Sequence, residues 1–300
     1  MLQLVIYGIV WGSILSLGGV GLSLTYGIMG FANFAHGDIM ALGAYYALVL
    51  AAFSKHIGVP SFTFGPLSFG FPMLIAILGS MIMTAITAAL IDKVLFKRLR
   101  KVQSIILLIA AVGVSFSLRN LLQFVWGPQP KYYFKGIQIT RKIPGVAARI
   151  KPDEVFIIAI SFLFALGVHF FLKYTKVGKA MRATSDNPSL ASTVGINTEK
   201  IITWTWAIGG SLAAAGGIFA GIENRFITPP LGWNMLLPIF AAVILGGIGS
   251  PYGAMVGGLI IGLSEELSTA IIPTAYKPAV AFAIMIIMLL FRPRGLFGRG

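Results

Sequence analysis

Polar residues that interrupt the apolar stretches of this chain are the first candidates for chemistry. The densest set lies in GFANFAHGDIMALGAYYA, where Asn33, His36 and Asp38 separate two long apolar runs, with Gly30 and Gly37 among them. Polar side chains are costly in hydrocarbon and usually face a cavity or a partner helix. Two interpretations stay open: a simple cytoplasmic turn, or a helix break that lines a pathway. In a break, Asn33 and Asp38 would hydrogen-bond a passing solute or hold the break in shape.

A second polar set lies towards the other end of the chain, where Glu265 and Glu266 stand deep in an apolar run beside Ser264 and Ser268. Adjacent helical residues point about 100° apart, so at most one of the two carboxylates faces a given cavity. Either the helix nears the outer interface here and the carboxylates meet water, or they stand on an ion route.

Residue patterns typical of enzymes are missing from the sequence. The histidines are scattered, and no HExxH, GxSxG or paired-carboxylate arrangement occurs. The nearest approach to a phosphate loop is Gly178 with Lys179, but Ala180 follows where Ser or Thr is required. With no cysteine, disulfides and thiolate metal sites are excluded. We therefore expect no catalysis, no cofactor, no metal and no ATP hydrolysis by this chain itself.

The elements that must position these residues are membrane-spanning helices. Hydrophobic residues make up 57% of the chain and charged residues 11%, against about 25% charged in soluble domains. A spanning helix needs about 20 apolar residues. Nine apolar runs are candidates, with boundaries good to several residues: 4–27, 35–53, 72–91, 104–126, 154–172, 201–221, 235–249, 254–272 and 278–291. The seventh is short and holds Pro238 and a glycine cluster, which suggests a re-entrant or broken helix.

The predicted fold is therefore an all-α transmembrane bundle of eight or nine segments, forming one domain over residues 1–300 in the cell membrane. Basic residues cluster around 93–101, 173–200 and 292–299, and the positive-inside rule makes these regions cytoplasmic. An odd number of crossings then places the amino terminus outside and the carboxyl terminus inside. The loop 127–153 is external by parity although it holds six basic residues. The net charge of +14 fits lipid headgroups better than nucleic acid.

Glycine is frequent inside the apolar runs. Pairs four residues apart, such as Gly8 with Gly12 and Gly258 with Gly262, let helices approach closely. The clusters GGVGLSLTYGIMG and GGIGSPYGAMVGG are denser than packing requires, which suggests breaks where backbone lines a pathway. The predicted pathway residues are Asn33, Phe34, Gly37, Asp38, Gly246, Gly247 and Gly249.

The loop 173–200, KYTKVGKAMRATSDNPSLASTVGINTEK, is rich in helix start and stop signals. One short helix is expected from Val177 to about Thr184. Asn187 can cap a second that begins at Pro188 and closes at Gly195, and Asn197 can cap the next membrane helix. The loop is either an amphipathic segment on the headgroups or a docking surface for a cytoplasmic protein.

Four stretches resemble the shorter type of permease subunit in branched-chain amino acid ABC importers: GLSLTYGIMGFANFAHGDIMALGAYYA, VGKAMRATSDNPSLASTVGIN, ILGGIGSPYGAMVGG and RPRGLFG. The resemblance implies a half-channel that pairs with a second, homologous permease, two cytoplasmic ATP-binding subunits and an external solute-binding protein. It also implies that the loop couples to the ATPase through Gly178, Arg182, Ala183, Asp186, Asn187, Pro188, Ala191 and Gly195. Asp38 departs from the family, which commonly has glutamate at that position.

The expected function is thus an importer permease subunit for branched-chain or other hydrophobic amino acids. Urea and short amides are alternatives within the class, because relatives share these motifs. A rival class is a self-sufficient secondary transporter or channel, whose ion route would use Asp38, Glu265 and Glu266. A membrane-embedded enzyme would need a nucleophile or a metal set that the sequence lacks.

Overall fold

A computed structural model describes residues 1–60, 65–100, 102–134, 140–142 and 148–298 of the chain. The α-helices are α1 Leu2–Met29, α2 Ala35–His56, α3 Phe71–Ile91, α4 Lys97–Leu99, α5 Ser104–Trp126, α6 Pro152–Tyr174, α7 Lys176–Asp186, α8 Pro188–Thr193, α9 Thr198–Asn224, α10 Leu231–Gly246, α11 Pro251–Ser268 and α12 Lys277–Phe291. A π-helical turn, Asp92–Phe96, joins α3 to α4, and a 3₁₀ turn, Thr274–Tyr276, precedes α12. Two short strands, β1 Arg141–Lys142 and β2 Arg149–Ile150, pair antiparallel. Lys101, Lys135 and Arg299 of the predicted basic clusters lie outside the described residues.

Each of the nine apolar runs holds a helix, which confirms the helical membrane bundle. Seven of these helices are long and apolar enough to cross a membrane. The other two are α10, with 16 residues, and α11, which carries Glu265 and Glu266. At about 1.5 Å per residue, α10 is shorter than the roughly 30 Å of hydrocarbon. The helix is continuous through Pro238. The number of crossings stays a prediction.

The boundary between the seventh and eighth runs was wrong by several residues. The runs place it at residues 250–253, whereas α10 ends at Gly246 and α11 begins at Pro251. Gly247 and Gly249 between them have φ values of 104° and 80°, in the left-handed region that glycine adopts at little cost. Hydropathy places such a turn only approximately, because Ile248 and the small glycines do not interrupt the apolar run as charged residues would.

Burial separates a central group of helices from a peripheral one. In the apolar windows of α1, α2 and α9, 67%, 61% and 83% of residues are buried, whereas the values for α3, α5, α6 and α12 lie between 11% and 28%. The central helices carry Gly8, Gly12 and Gly37, and the peripheral ones turn apolar side chains outward. This is the arrangement expected where lipid, not water, surrounds the bundle.

The glycine pairs of α1 and α11 lie against each other. A Cβ atom on Gly8 would stand 2.8 Å from the Cα atom of Leu263, and one on Gly12 would stand 2.9 Å from that of Leu259. Ser16 donates a hydrogen bond of 2.7 Å to the carbonyl of Met255. The two helices therefore run antiparallel in close backbone contact, and these glycines serve helix packing.

Helix α2 begins inside the bundle. His36, in its first turn, is hydrogen-bonded through Nε2 to the carbonyl oxygen of Gly18 at 2.9 Å, and Gly18 lies in the middle of α1. The connection after Met29 turns at Gly30, whose φ is 68°, and re-enters the bundle with Phe31, Asn33 and Ala35 buried. Its burial makes this segment a helix break within the bundle, and the interpretation as a solvated turn does not fit.

The two ends of the bundle differ in what they carry. One end holds α7, α8, the start of α9 and the turn between α10 and α11, and we call it the α7–α8 end. The other holds the start of α1, the β1–β2 pair and the end of α9, joined by a hydrogen bond of 2.9 Å from Gln3 Nε2 to the carbonyl of Arg149. The described residues of the loop 127–153 and the loop 173–200 therefore lie at opposite ends.

Candidate solute pathway and coupling loop

Asp38 lies fully buried at the helix break and is paired with an arginine of α5. Arg119 donates from Nε to Oδ1 at 3.1 Å and from Nη2 to Oδ2 at 3.0 Å, and Ser115 Oγ also donates to Oδ2. The side chain of Arg119 is 16% exposed and that of Asp38 is 0% exposed. The pair removes the cost of burying a lone carboxylate. Asp38 thus holds α2 against α5.

Arg119 is the functional candidate that sequence reasoning missed. It is the only charged residue in α5, and an arginine inside an apolar run is a signal that the sequence contains. The sequence does not reveal that Asp38 is its partner, because Asp38 lies 81 positions away.

Two aromatic rings cover the guanidinium group. Its central carbon lies 4.4 Å from the ring centroid of Trp233 in α10 and 5.3 Å from that of Phe116 in α5, both within cation–π range. Trp233 follows Gly232, and a Cβ atom on Gly232 would collide with the carbonyl of Gly37. The glycine contact holds the start of α10 against the start of α2, so Trp233 and Asp38 are brought to the same arginine.

Asn33 and Phe34 shape the entry into α2. The Oδ1 atom of Asn33 accepts a hydrogen bond of 3.1 Å from the backbone N–H of Ala35, whereas its buried Nδ2 has no partner among the described residues. The ring of Phe34 packs against Phe240 of α10 with centroids 5.2 Å apart. Asn33 therefore stabilises the break and keeps a free amide donor inside it.

The predicted pathway residues fall into two separate groups. Asn33, Phe34, Gly37 and Asp38 surround the break, but Gly246, Gly247 and Gly249 lie at the α7–α8 end. The carbonyl of Gly246 accepts a hydrogen bond of 3.0 Å from Phe297 N–H, in the carboxyl-terminal segment RPRGLFG. The glycines of the second group stand at the turn between α10 and α11, and the assignment of both groups to a solute pathway stays a prediction.

The loop 173–200 contains the expected short helices and caps. α7 and α8 lie where the sequence predicts them, and α7 is slightly longer at each end. The Oδ1 atom of Asn187 accepts from Leu190 N–H at 3.0 Å, and that of Asn197 accepts from Lys200 N–H at 3.0 Å. Gly195 follows α8 with a φ of 87°. The positions of the short helices in this loop are thus determined by capping residues close to them in the sequence, which explains why the sequence predicted these helices well.

The eight coupling candidates divide into buried and exposed residues. Gly178 and Ala191 are buried, and Gly178 approaches the carbonyl of Phe171 too closely for any Cβ atom. Ala183 is half-buried, and the remaining candidates are exposed: Arg182, Asp186, Asn187, Pro188 and Gly195. Two apolar side chains of the loop also face outward, Leu190 at 61% and Val194 at 70% exposure. The buried residues seat the loop on the bundle, and the exposed ones present a surface.

A cavity of about 490 Å³ separates α7 from the ends of α1 and α10. Its lining includes Tyr26, Gly27, Arg182, Asp186 and Gly249. Ser185 Oγ donates a hydrogen bond of 2.9 Å to the carbonyl of Gly27, which ties α7 to α1 at the cavity wall. Gly249 therefore lies with the coupling candidates and apart from Asn33.

An ion-pair network joins the end of the loop 173–200 to the segment that follows α3. Glu199, in the first turn of α9, pairs with Arg100 at 2.6 Å and with Lys97 at 3.3 Å, and Arg100 also pairs with buried Asp92. Phe96, in the same π-helical turn as Asp92, stacks on Phe31 with ring centroids 5.3 Å apart. π-Helical turns are uncommon and often occur at functional sites. This turn connects the loop to the segment that enters the break.

At the opposite end, Glu265 and Glu266 have separate partners. Glu265 is 2% exposed and accepts a hydrogen bond of 2.8 Å from Trp11 Nε1, so the expectation of a water-exposed carboxylate is wrong for this residue. Glu266 pairs with Lys277 at 2.5 Å. The two carboxylates point to different neighbours, as their adjacency in a helix requires.

Part of the basic charge of the loop 127–153 is neutralised locally. Lys151 lies 2.8 Å from Glu154 and 3.0 Å from Glu223. Burial alone lowers the pKa of Lys151, but the hydrogen bond to Glu154 and the charge of Glu223 outweigh it and raise that pKa. Lys151 therefore stays charged at physiological pH, and its pairs fasten the loop to α6 and α9.

A helical membrane bundle with a polar break inside it and two short exposed helices at one end has the form of a transport subunit. The chain matches the family model for the permease component of the branched-chain amino acid transport system over residues 4–289, and it belongs to that family. The permease protein LivH of the high-affinity branched-chain amino acid transport system of Salmonella typhimurium is 34% identical, over 99% of this chain and 96% of the relative.

Two other relatives show the range of the similarity. The corresponding permease protein BraD of Pseudomonas aeruginosa is 33% identical, over 99% of this chain and 96% of the relative. The ribose import permease protein RbsC of Haemophilus influenzae is 28% identical, over 46% of this chain and 43% of the relative. No solved structure matches the chain significantly.

Proposed function

We propose that this chain is the membrane permease subunit of an ABC importer for branched-chain or other hydrophobic amino acids. Separate ATP-binding subunits power it, and the chain itself is not catalytic. Family membership over nearly the whole length supports the importer class. The names of LivH and BraD support the solute class, while the more distant ribose permease shows that solutes differ among relatives.

The observation that carries the proposal is the exposed pair of helices α7 and α8. Their caps make them rigid, Gly178 and Ala191 seat them, and Asn187, Pro188 and Leu190 are left exposed. A rigid surface with outward apolar side chains fits a partner protein better than water. The partner proposed for it is one of two cytoplasmic ATPases. Movement of α7 and the start of α9 would reach the helix break through Glu199, Arg100 and the contact of Phe96 with Phe31.

Two further partners are proposed because the chain belongs to a family of importer permeases. A second, homologous permease would complete the pathway beside the break. An external solute-binding protein would deliver the solute at the end that carries β1, β2 and the loop 127–153. In this arrangement the amino terminus is outside and the carboxyl terminus is cytoplasmic. The importer works by alternating between outward-open and inward-open states.

Glycine substitution of Asp186 to Ser189 tests the coupling role. We expect ATP-driven uptake of L-leucine into vesicles containing the complete complex to be abolished, because the cap of α8 and its exposed surface are lost. Alanine at Lys93 and Arg98, which are exposed at the same end outside the loop, is the matched control and should leave uptake unchanged. Membrane abundance of each variant checks folding.

Two outcomes would contradict the proposal. Uptake that persists in the loop variant would show that the loop does not couple to an ATPase. Uptake by this chain without ATP would favour a self-sufficient transporter. If the complex imports urea or a short amide and not L-leucine, the importer class stands and the solute class is wrong.

A further inference from the structure

We propose that Arg119 binds the carboxylate group of the transported solute, and that Arg119, Trp233 and Phe116 form this chain's share of the solute site. The inference rests on the proposed function, since it assigns residues to the solute of an amino acid importer. The ligand class is an α-amino acid with an apolar side chain. The second permease would supply the remaining contacts.

The first argument is the unused donor capacity of Arg119. Its hydrogen bonds run from Nε and Nη2 to Asp38 and Ser115, and Nη1 makes none with the part of the chain that the structure describes. A guanidinium group has five N–H donors, arranged to hold carboxylates. Nη1 can therefore take a solute carboxylate while Asp38 stays bound. Because the carboxylate of Asp38 neutralises the guanidinium charge, Arg119 can stay within the membrane when no solute is bound.

The second argument is the surroundings of the guanidinium group. The centroids of Trp233 and Phe116 lie 4.4 Å and 5.3 Å from the guanidinium carbon, and the Arg119 side chain is only 16% exposed. Its low exposure to water strengthens a charged hydrogen bond at the free edge of the group. The same rings offer apolar surface to an aliphatic side chain. Phe116 is 50% exposed, so that surface is not used up within this chain.

The third argument is the polar character of the neighbouring surface. Asn120 follows Arg119, Asn234 follows Trp233, and both side chains are exposed. Ser117 is exposed on the same helix, and nothing lies within 4 Å of a Cβ atom placed on Gly113. Amide side chains facing lipid are costly, so this face meets water or another subunit. Most other exposed residues of α5, such as Ile109 and Phe124, are apolar, as they are on α3 and α12, so the polar surface of this helix is concentrated around Arg119.

The chain has no cysteine, which permits a direct binding test. Asn120→Cys in the complete complex is labelled with a small thiol reagent in membrane vesicles, with and without L-leucine. At about ten times the dissociation constant, L-leucine should slow labelling about tenfold, because only the free fraction reacts. L-Leucinamide, which lacks the carboxylate, should not protect.

Charge-matched variants then test Arg119 itself. Arg119→Gln with Asp38→Asn removes both charges without leaving either buried alone, and it should abolish protection by L-leucine. Arg119→Lys keeps a cation beside Asp38 but lacks the spare nitrogen, and it should weaken protection. Glu266→Gln with Lys277→Gln, a comparable pair at the end of α11, is the control and should leave protection intact. Arg98→Cys, exposed at the α7–α8 end outside the loop 173–200, should be labelled at the same rate in all variants, which checks folding.

The inference fails if L-leucinamide protects as well as L-leucine, or if the doubly neutral variant is protected like the parent. It also fails if L-leucine gives no protection although the parent complex shows ATP-driven uptake of L-leucine. Failure of the proposed function would appear separately, as absence of that uptake in the parent complex.

Discussion

At the scale of single residues, the contact between Gly37 and Gly232 decides where the polar groups of the break lie. The two backbones touch, and each glycine is followed by a residue that contacts Arg119: Asp38 after Gly37, and Trp233 after Gly232. Any side chain at either glycine must push α2 and α10 apart. That displacement would reach the ion pair one residue away.

Gly232→Ala should therefore destabilise the protein by about 3 kcal/mol or more, the upper range for overpacking a tight interior. The measurement is the fraction of detergent-solubilised protein that stays monodisperse after stepwise heating. Gly113→Ala is the matched control, because space is open around that glycine and alanine is the better helix former. If both variants melt at the same temperature, the close contact does not hold the break.

At the scale of elements, α8 depends on its cap. It has six residues, and isolated helices of that length are unstable in water. Asn187 supplies the amino-terminal cap, Pro188 fixes the first helical φ, and Gly195 allows the chain to leave in the left-handed region. The shape of the coupling surface is thus maintained by local hydrogen bonds that can be removed one at a time.

Asn187→Ala should cost about 1 kcal/mol of helix stability and raise thermolysin cleavage of the loop before Leu190, an exposed residue of α8, about fivefold. The cleavage is measured in inside-out membrane vesicles by the loss of intact chain. Ser192→Ala removes a side-chain hydrogen bond of 2.7 Å to Ser189 without touching the cap, and it should leave cleavage nearly unchanged. Equal cleavage of both variants would mean that the cap does not order the loop.

At the scale of the whole molecule, the bundle has two chemically distinct ends. Basic residues are paired at both ends: Lys97 and Arg100 pair with Glu199 at the α7–α8 end, and Lys151 pairs with Glu154 and Glu223 at the other. The α7–α8 end also carries the exposed Lys93 and Arg98 and the two short helices. The positive-inside rule counts Lys and Arg and not net charge, so these pairs do not alter it and the orientation stays a prediction.

Single cysteines test this orientation. Ser189→Cys should react with a membrane-impermeant maleimide only in inside-out vesicles, and Tyr132→Cys only in right-side-out vesicles, because the two exposed positions lie at opposite ends. Labelling of both from the same side would contradict the fold. Labelling with the two sides exchanged would keep the fold and reverse the orientation.

The sequence by itself determined those features that depend on composition and on neighbours along the chain. Runs of apolar residues long enough for a bilayer require helices, and the caps at Asn187 and Asn197 act over three residues, so both were predictable. The glycine pairs of α1 and α11 were predictable as packing sites, although their partners were not.

Only the tertiary structure decided which distant residues meet. Arg119 contacts Asp38 across 81 positions, and Gly232 contacts Gly37 across a still longer separation. These contacts depend on which helices pack against each other, and hydropathy gives no information about that. For the same reason, the sequence grouped Gly249 with Asn33, whereas the fold places Gly249 beside Gly27 at the cavity. Charge, helix capping and the length of an apolar run depend on residues close together in the sequence, whereas a pathway depends on which distant residues the fold brings together.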